Sequence, residues 1–416
     1  MYRIAVDIGG TFTDIVLTDS RNTFSEKVLT TTSNPEIGAI NGIQRIIKEN
    51  GISIDKINKI IHGTTLAANS IIQRKGAKTA FITTSGFRDI LEMQYEKRFD
   101  QYNLNIKLPT PLVPRDFRFT LKERCLASGK IILKPKINEI KILAKKLISL
   151  NIEAVAIGFL HSYINAENEL FVEKTIRKFL PTKVTLCTSN QICPEVREYE
   201  RFSTTVANSF VRPLMIRYLD SLEKSLIKLG FKGKIFLISS DAGITTISQS
   251  KKFPIRLVES GPAGGVTLAS YISKSLNENK SISLDIGGTT AKICYLKNGD
   301  AIKERKFEIA RSDISKKGSG LPLKIPSIDL LEIGAGGGSV AKVDNTGRIK
   351  IGPESMGANP GPSCYNLGGQ NPTITDANLI IGRITEKKFS DNNLALNKTN
   401  SKKVINENIE KILNFN

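Results

Sequence analysis

One stretch of eight residues is written twice in this chain, and that repetition limits what the chain can fold into. Asp7-Ile8-Gly9-Gly10-Thr11-Phe12-Thr13-Asp14 returns as Asp285-Ile286-Gly287-Gly288-Thr289-Thr290-Ala291-Lys292. Each copy follows an apolar run (Ile4-Ala5-Val6; Ile282-Ser283-Leu284) and leads into another (Ile15-Val16-Leu17; Ile293-Cys294-Tyr295-Leu296). Strand, paired glycines, strand predicts a hairpin, because a tight turn needs residues that tolerate positive φ. The aspartate closes the first strand, bare glycine amides stand beside it, and threonine hydroxyls follow. A carboxylate for a hydrated Mg²⁺, with amides and hydroxyls for phosphate oxygens, is what a nucleoside triphosphate requires. A single copy would read better as plain turn chemistry. Two copies in the same strand context carry more weight.

A repeat at this separation predicts two similar halves facing each other across a cleft. No Gly-Lys-Ser/Thr follows, as a P-loop needs, and a strand stands where a Rossmann fingerprint needs a helix. The arrangement resembles the actin, sugar-kinase and Hsp70 type of ATPase. The expected fold is therefore α/β: duplicated domains with mixed sheets, two phosphate-binding hairpins and an inserted irregular subdomain. The expected division is residues 1–190 with the first hairpin, 191–386 with the second, and an Asn/Lys-rich tail over 387–416.

At 416 residues the chain can hold two or three domains, and 40% hydrophobic with 24% charged residues is ordinary for globular proteins. The net charge of +20 is not. It could mark a nucleic-acid partner, but the lysines are scattered and not interleaved with aromatic residues, so none is expected. Only two histidines are present, too few for a His-based metal cluster. The five cysteines show no Cys-x-x-Cys spacing, which argues against a zinc site or redox dithiol. An odd cysteine count, a first strand in place of a signal peptide, and no apolar run near ~18 residues predict a cytoplasmic protein that neither enters nor spans a membrane.

Between the hairpins, Asn34-Pro35 opens a helix with an isoleucine stripe that ends near Gly51. A strand over 57–61 leads into His62-Gly63-Thr64-Thr65, where His62 is either a structural histidine or part of a cleft edge. Residues 87–133, rich in proline and charge, read as an irregular insertion. Helix and strand then alternate to Cys187. Pro194 to Leu229 is a long helical region with a break expected at Pro213. The charge-dense start, Glu195 to Arg201, reads as a solvated face. Glu259-Ser260-Gly261-Pro262-Ala263-Gly264-Gly265-Val266 is a glycine-rich turn opening a helix, which offers an anion free amides at Gly261 and Gly264. Gly318 to Leu323 reads as a flexible connection. The run Gly334-Ala335-Gly336-Gly337-Gly338 suggests close approach of backbone to a ligand, with Gly336 and Gly337 as phosphate contacts. Gly352 to Gly369 reads as a rigid proline-containing loop walling the cleft.

Taken together, Asp7–Asp14, His62–Asn69, Glu259–Val266, Asp285–Lys292, Gly334–Asp344, Gly352–Tyr365 and Pro372–Gly382 resemble the hydantoinase/oxoprolinase family, in family order and over nearly the whole chain to about Ile384. The second hairpin, with Gly318-Ser319-Gly320-Leu321-Pro322 after it, is most similar to the N-methylhydantoinase A branch. In the oxoprolinase branch an Asp commonly replaces Lys292. The resemblance implies ATP-driven opening of a cyclic amide such as a hydantoin or 5-oxoproline, through phosphorylation of its carbonyl oxygen. It implies Mg²⁺ at Asp7 and Asp285, and phosphates at Gly9, Gly10, Thr11, Thr13, Gly287, Gly288, Thr289 and Thr290. His62, Thr64 and Thr65 are candidates for the reacting end, and a hydantoinase B-type subunit is the expected partner. A ketone carboxylase subunit, an actin/Hsp70-like ATP switch and an inactive fragment are the alternatives. The chain departs from the family pattern at Asp241-Ala242-Gly243, Met356 and Asn359. Family members also run further, so a truncated, split or paired protein is expected.

Overall fold

The computed structural model describes residues 1–9, 12–31, 34–288, 290–313, 316–357, 359–386 and 395–414. Gly10, Thr11, Thr289 and residues 387–394 of the tail lie outside the described residues. The first repeat folds as a hairpin of β1 (Tyr2–Ile8) and β2 (Phe12–Thr18), continued by β3 (Thr23–Leu29). Alternation along the strands sends Ile4, Val6, Ile8, Ile15 and Leu17 to one face, where all five are buried. Helix α1 (Pro35–Glu49) starts at its proline and lays Ala39, Ile43 and Ile46 on that face. A Cβ on Gly42 would lie 2.3 Å from Ile15 Cδ1, so the helix sits as close as it does because glycine stands there. On its other edge β1 pairs in parallel with β4 (Ile57–Thr64), and α2 (Leu66–Ile72) follows.

A second sheet is inserted next, from β5 (Thr79–Thr84), β6 (Arg118–Leu121), α3 (Ile137–Ser149), β7 (Ala154–Gly158), α4 (Glu167–Arg177) and β8 (Thr185–Thr188). Its order is β8-β7-β5-β6 and every pairing is parallel. The run read as irregular, 87–133, thus supplies an edge strand. Its proline and charge density hid a short strand whose register only the neighbouring β5 defines. Helices α3 and α4 cover one face through Ile140, Leu143, Leu147, Val172 and Ile176.

The other face is covered by the start of α5 (Glu198–Lys228). Tyr199, Phe202 and Val206 pack there with Phe81 and Ala156, while Val211, Met215, Leu219 and Leu226 further along enter the core of the first sheet. The charged start of this helix is not a solvated face. Arg201 is wholly buried, donating to the carbonyls of Phe159 (2.6 Å) and Glu195 (3.3 Å), with its guanidinium over the rings of Phe202 and Tyr163. Periodicity of charge alone could not show that a sheet would cover this side. The helix also runs unbroken through Pro213. Burial of Val211, Pro213 and Met215 outweighs the roughly 3 kcal/mol a proline costs inside a helix.

β9 (Lys234–Ile238) joins β4 in parallel and β10 (Ile244–Thr246) joins β9, giving the first sheet the order β10-β9-β4-β1-β2-β3. The first half therefore draws strands from beyond the division expected at residue 190. Helix α6 (Ser260–Ser275) packs on β4 and β9 and also on β11 (Lys280–Ile286), so it touches both halves. β11 and β12 (Ala291–Lys297) form the second hairpin, and the far edge of β12 carries β13 (Asp300–Ala301) and β14 (Leu331–Ile333). The segment 318–323, expected to be flexible, contributes a strand (Leu321–Leu323) paired with Phe307–Ile309, and its leucines are buried in the first core. Serine, glycine and proline around those two leucines gave it the look of a linker.

The C-terminal third adds a hairpin, β15 (Ser339–Val343) with β16 (Ile349–Ser355), then α7 (Ile374–Ile380) and α8 (Lys398–Ile405). Buried Asp376 ties these parts together. It accepts hydrogen bonds from the amides of Cys364 (2.8 Å) and Thr373 (3.0 Å) and from the Ser401 hydroxyl (2.7 Å). All five cysteines are buried and free. No helix among the described residues is long and apolar enough to cross a membrane.

Candidate functional site

The two hairpins close in the same way. Gly9 N–H donates to the Phe12 carbonyl (2.9 Å) and Gly287 N–H to that of Thr290 (3.0 Å). Register then sets what surrounds the aspartate at each strand end. Asp7 stands opposite Asp14 on β2 and beside Gly63 on β4. A Cβ on Gly63 would come within 2.8 Å of Asp7 Oδ1, and one on Gly261 within 3.3 Å. Three segments, the ends of β1 and β4 and the start of α6, thus meet round one carboxylate. Ser260 fastens the helix there: its hydroxyl accepts from Thr64 N–H (3.1 Å) and donates to the Thr64 carbonyl (3.0 Å). The positive end of a sixteen-residue helix is directed at the cleft.

Solvent reaches Asp7 from the cleft, yet the walls around its carboxyl push its pKa up to about 6. Partial burial contributes most, then the negative charges of Asp14 and of Asp285 from the second hairpin, while Lys27, paired with Asp14, acts the other way. Burial also raises Asp285. Opposite Asp285 stands Lys292, whose ammonium reaches Glu259 at the start of α6. Burial pulls the Lys292 pKa down, with Glu332 on the adjoining strand opposing.

The carboxylates suit a hydrated divalent cation. Among the described residues no three His, Cys, Asp or Glu side chains form a closed metal cluster. Mg²⁺ bound along with phosphates asks for only one or two carboxylates, the rest of its shell being water and phosphate oxygen. Asp7, crowded by two other acids, gains most from such a cation.

Several expected site residues prove to be occupied otherwise. His62 is wholly buried, its Nδ1 at the Val6 carbonyl (3.2 Å) and its Nε2 at the Tyr218 hydroxyl, and burial takes its pKa down to about 4. It faces the core because β4 alternates and the neighbouring Gly63 takes the cleft side. The Thr64 hydroxyl accepts from Leu66 N–H (3.2 Å) and that of Thr65 donates to the Ile8 carbonyl (3.2 Å), so both serve the strand-to-helix turn. Thr13 is buried opposite Ile8, bonded to the Thr30 hydroxyl (3.0 Å). Gly264 lies inside α6, where a Cβ would be 3.3 Å from Ile238, so it serves packing.

The glycine run is also structural. Gly336 N–H donates to the Ser339 hydroxyl (2.9 Å), and the amides of Gly337 and Gly338 donate to the carbonyls of Gly287 (2.8 Å) and Gly288 (2.7 Å). Backbone does approach closely there, but its neighbour is the second hairpin rather than a ligand. Thr290 stays half-exposed at the cleft, and Gly10, Thr11 and Thr289 fall outside the described residues. Of the expected set, Asp7, Asp285, Gly9, Gly287, Gly288, Thr290 and Gly261 line the two hairpins and the helix start.

Sequence reasoning passed over Asp14, Gly63, Ser260 and the Lys292–Glu259 pair. Asp14 and Lys292 sit inside the repeated motif at equivalent positions, a signal the sequence did carry. Gly63 and Ser260 matter only through the parallel pairing of β4 and the landing of α6, both long-range.

Family models match over residues 201–416, described as hydantoinase/oxoprolinase, and over 3–180, described as the N-terminal region of the same group. The chain belongs to the hydantoinase/oxoprolinase family. It is 42% identical, over 99% of its own length, to an uncharacterized protein of Methanocaldococcus jannaschii, and spans 61% of that relative. It is 31% identical over 95% of its length to caprolactamase subunit alpha of Pseudomonas jessenii, spanning 57% of it. The crystal structure of that ATP-dependent caprolactamase superposes with a TM-score of 0.81, and a nucleotide-free acetone carboxylase with 0.83 at 25% identity. Each match covers 99% of this chain and 59% of the other. The fold is thus that of the actin-like ATPase type seen in this family, and the chain spans about three-fifths of the length of these relatives.

Proposed function

We propose that the chain is an ATP-using subunit that activates the carbonyl of a cyclic amide for ring opening. The observation behind this reading is the pair of Asp-Ile-Gly-Gly-Thr hairpins, whose strand-end aspartates come near enough that the charge of Asp285 helps raise the pKa of Asp7 beside the start of α6. Membership of the family and the caprolactamase relative favour the amide. An amide carbonyl resists water because its nitrogen lone pair is delocalised into it. In this reading its oxygen bonds to the γ-phosphorus of ATP as the bond to ADP breaks. Water then adds to the carbon, the ring C–N bond breaks with a proton passing to nitrogen, and a second water hydrolyses the remaining acyl phosphate. The protein's share is to align the reactants and neutralise charge.

Asp7 and Asp285 would hold Mg²⁺, directly or through water, and the cation would neutralise phosphate charge. Gly288, Thr290 and Gly261 would face the phosphates, with Gly10, Thr11 and Thr289 in the same role. A partner subunit of the hydantoinase B type fits a family whose named members include subunits.

Calorimetric titration of Mg·ATP into the chain, beside Asp7→Ala and Asp285→Ala, tests the reading. Micromolar binding lost in both variants, with ADP release stimulated by caprolactam, 5-oxoproline or hydantoin, is the expected result. Binding that survives both substitutions would refute it. A ketone carboxylase subunit is the second reading, favoured by the acetone carboxylase superposition. Stimulation by acetone with bicarbonate, but not by lactams, would select it.

A further inference from the structure

The inserted sheet ends on β8, and among the described residues two guanidiniums, rather than a further strand, cap the free edge of that strand. Thr185 N–H turns toward β7 and donates to the Glu153 carbonyl (3.0 Å), so the carbonyls of Val184 and Leu186 turn the other way. Arg177, at the end of α4, donates to the Val184 carbonyl (2.5 Å) and to that of Pro181 (3.1 Å). Arg212, midway along α5, donates to the Leu186 carbonyl (2.7 Å) and reaches the Cys187 sulfur (3.4 Å). It also crosses the seam to the first half, donating to the Lys251 carbonyl (3.2 Å) in the helix Ile247–Lys252. Every one of these acceptors is neutral.

Both guanidiniums border a groove of about 490 Å³ between α4, β8 and α5. A volume of that size suits a small organic molecule. One wall is aliphatic, from Val184, Leu186 and Ile216, and Glu173, one turn before Arg177 on α4, brings a carboxylate. The charged groups feel one another. Burial pulls the Arg177 pKa down, with Glu173 opposing and the charge of Arg212 adding to the pull. Burial raises Glu173, against Arg212, Arg177 and Lys252. Lys174 lies on the wall too, so the lining carries three cations to one carboxylate. Guanidiniums brought together and partly dehydrated are costly unless an anion joins them, and their planar forks match an oxyanion in two-point contact. Here backbone carbonyls already hold both forks in place.

We infer that this groove is a binding site for a small aliphatic carboxylate, its oxyanion at Arg177 and Arg212 and its hydrocarbon chain along Val184, Leu186 and Ile216. Glu173 decides between oxyanions: a phosphate dianion would be repelled by that carboxylate, whereas a monoanion meets a net positive wall. The apolar wall asks for hydrocarbon behind the charge. None of the lining residues belongs to the two hairpins or to the start of α6, so the site is separate from the cleft and does not depend on the nucleotide reading. A ligand there would sit on the seam that Arg212 spans between the inserted sheet and the first half.

Calorimetric titration of butyrate, pentanoate and hexanoate into the full 416-residue chain tests the site, with inorganic phosphate and hexylamine beside them. The expected result is one-to-one binding that tightens about fourfold for each added methylene. Phosphate and hexylamine should bind at least about tenfold more weakly than hexanoate. Arg212→Gln should weaken hexanoate by a similar factor, but it also uncaps the Leu186 carbonyl. Ile216→Trp is therefore the second variant: it fills the groove, keeps both arginines, and should weaken hexanoate as much with thermal melting unchanged. Glu173→Gln should tighten hexanoate and narrow its advantage over phosphate. No saturable binding of hexanoate to the folded parent would overturn the inference and leave the arginines as caps of β8. So would phosphate binding more tightly than hexanoate, or hexanoate binding that Ile216→Trp leaves unchanged.

Discussion

Asp7 and Asp14 stand directly opposite one another on neighbouring strands, at the mouth of the first hairpin. With Asp285 adding its charge and partial burial contributing most, the Asp7 pKa rises to about 6, above that of an unfolded chain. A cation bound at Asp7 must displace that proton. Mg·ATP affinity should be flat above pH 7 and fall about tenfold per pH unit below pH 6, measured by calorimetry at several pH values. The stability effect has the opposite sign. A carboxyl with a raised folded pKa costs stability above about pH 6, and the cost fades as pH falls toward 4. Asp7→Asn should therefore be more stable than the parent at pH 8 while losing cation-dependent binding. A flat affinity profile through pH 5 would remove Asp7 from the cation's shell.

His62 gives the reverse pH dependence. Its folded pKa, about 4, lies below the unfolded value near 6.5, so the unfolded chain takes the proton first. The stability this provides is complete above pH 6.5 and lost as pH falls to 4, about 3 kcal/mol in all. His62→Gln should flatten that part of the acid limb in urea titrations and leave Mg·ATP affinity within about twofold of the parent. A large loss of affinity in a variant as stable as the parent would return His62 to the site.

A Cβ on Gly338 would lie 2.8 Å from the Ser355 hydroxyl and 2.9 Å from the Gly288 carbonyl. Gly338→Ala should cost about 1–3 kcal/mol by pushing the glycine run off the second hairpin. At Gly265, inside α6, a Cβ meets nothing within 4 Å. Gly265→Ala should stabilise by about 0.5–1 kcal/mol. Denaturant midpoints of the two variants, compared with the parent, check both signs.

Lys292 and Glu259 form an ion pair with only 16% and 10% of their side chains exposed. Lys292→Met leaves a carboxylate without its partner at the start of α6, and should cost about 3 kcal/mol. The double variant Lys292→Met/Glu259→Leu should recover most of that loss. If the double variant is no better than the single, the pair is not what holds Lys292 in place.

Local chemistry made the hairpins legible. Alternation along β1 and β2, the paired glycines and the recurrence at Asp285 together required two strand pairs with aspartates at their ends. The start of α6 was legible for the same reason, a glycine turn opening a helix. The fates of Arg201 and His62 were not, because each depends on which sheet covers which side of an element, and that is set by pairings far away in sequence. Likewise the glycines at 336–338 announced close approach correctly, but whether the neighbour is a phosphate or another backbone depends on where the second hairpin lies.

Helix α5 belongs to two cores at once, with Tyr199, Phe202 and Val206 in that of the inserted sheet and Met215, Leu219 and Leu226 in that of the first. Its 31 residues make a rod of about 46 Å. Neither core can melt without exposing a face of the same helix, so the two sheets share one cooperative transition. The insertion is thereby braced against the first half through that one shared helix.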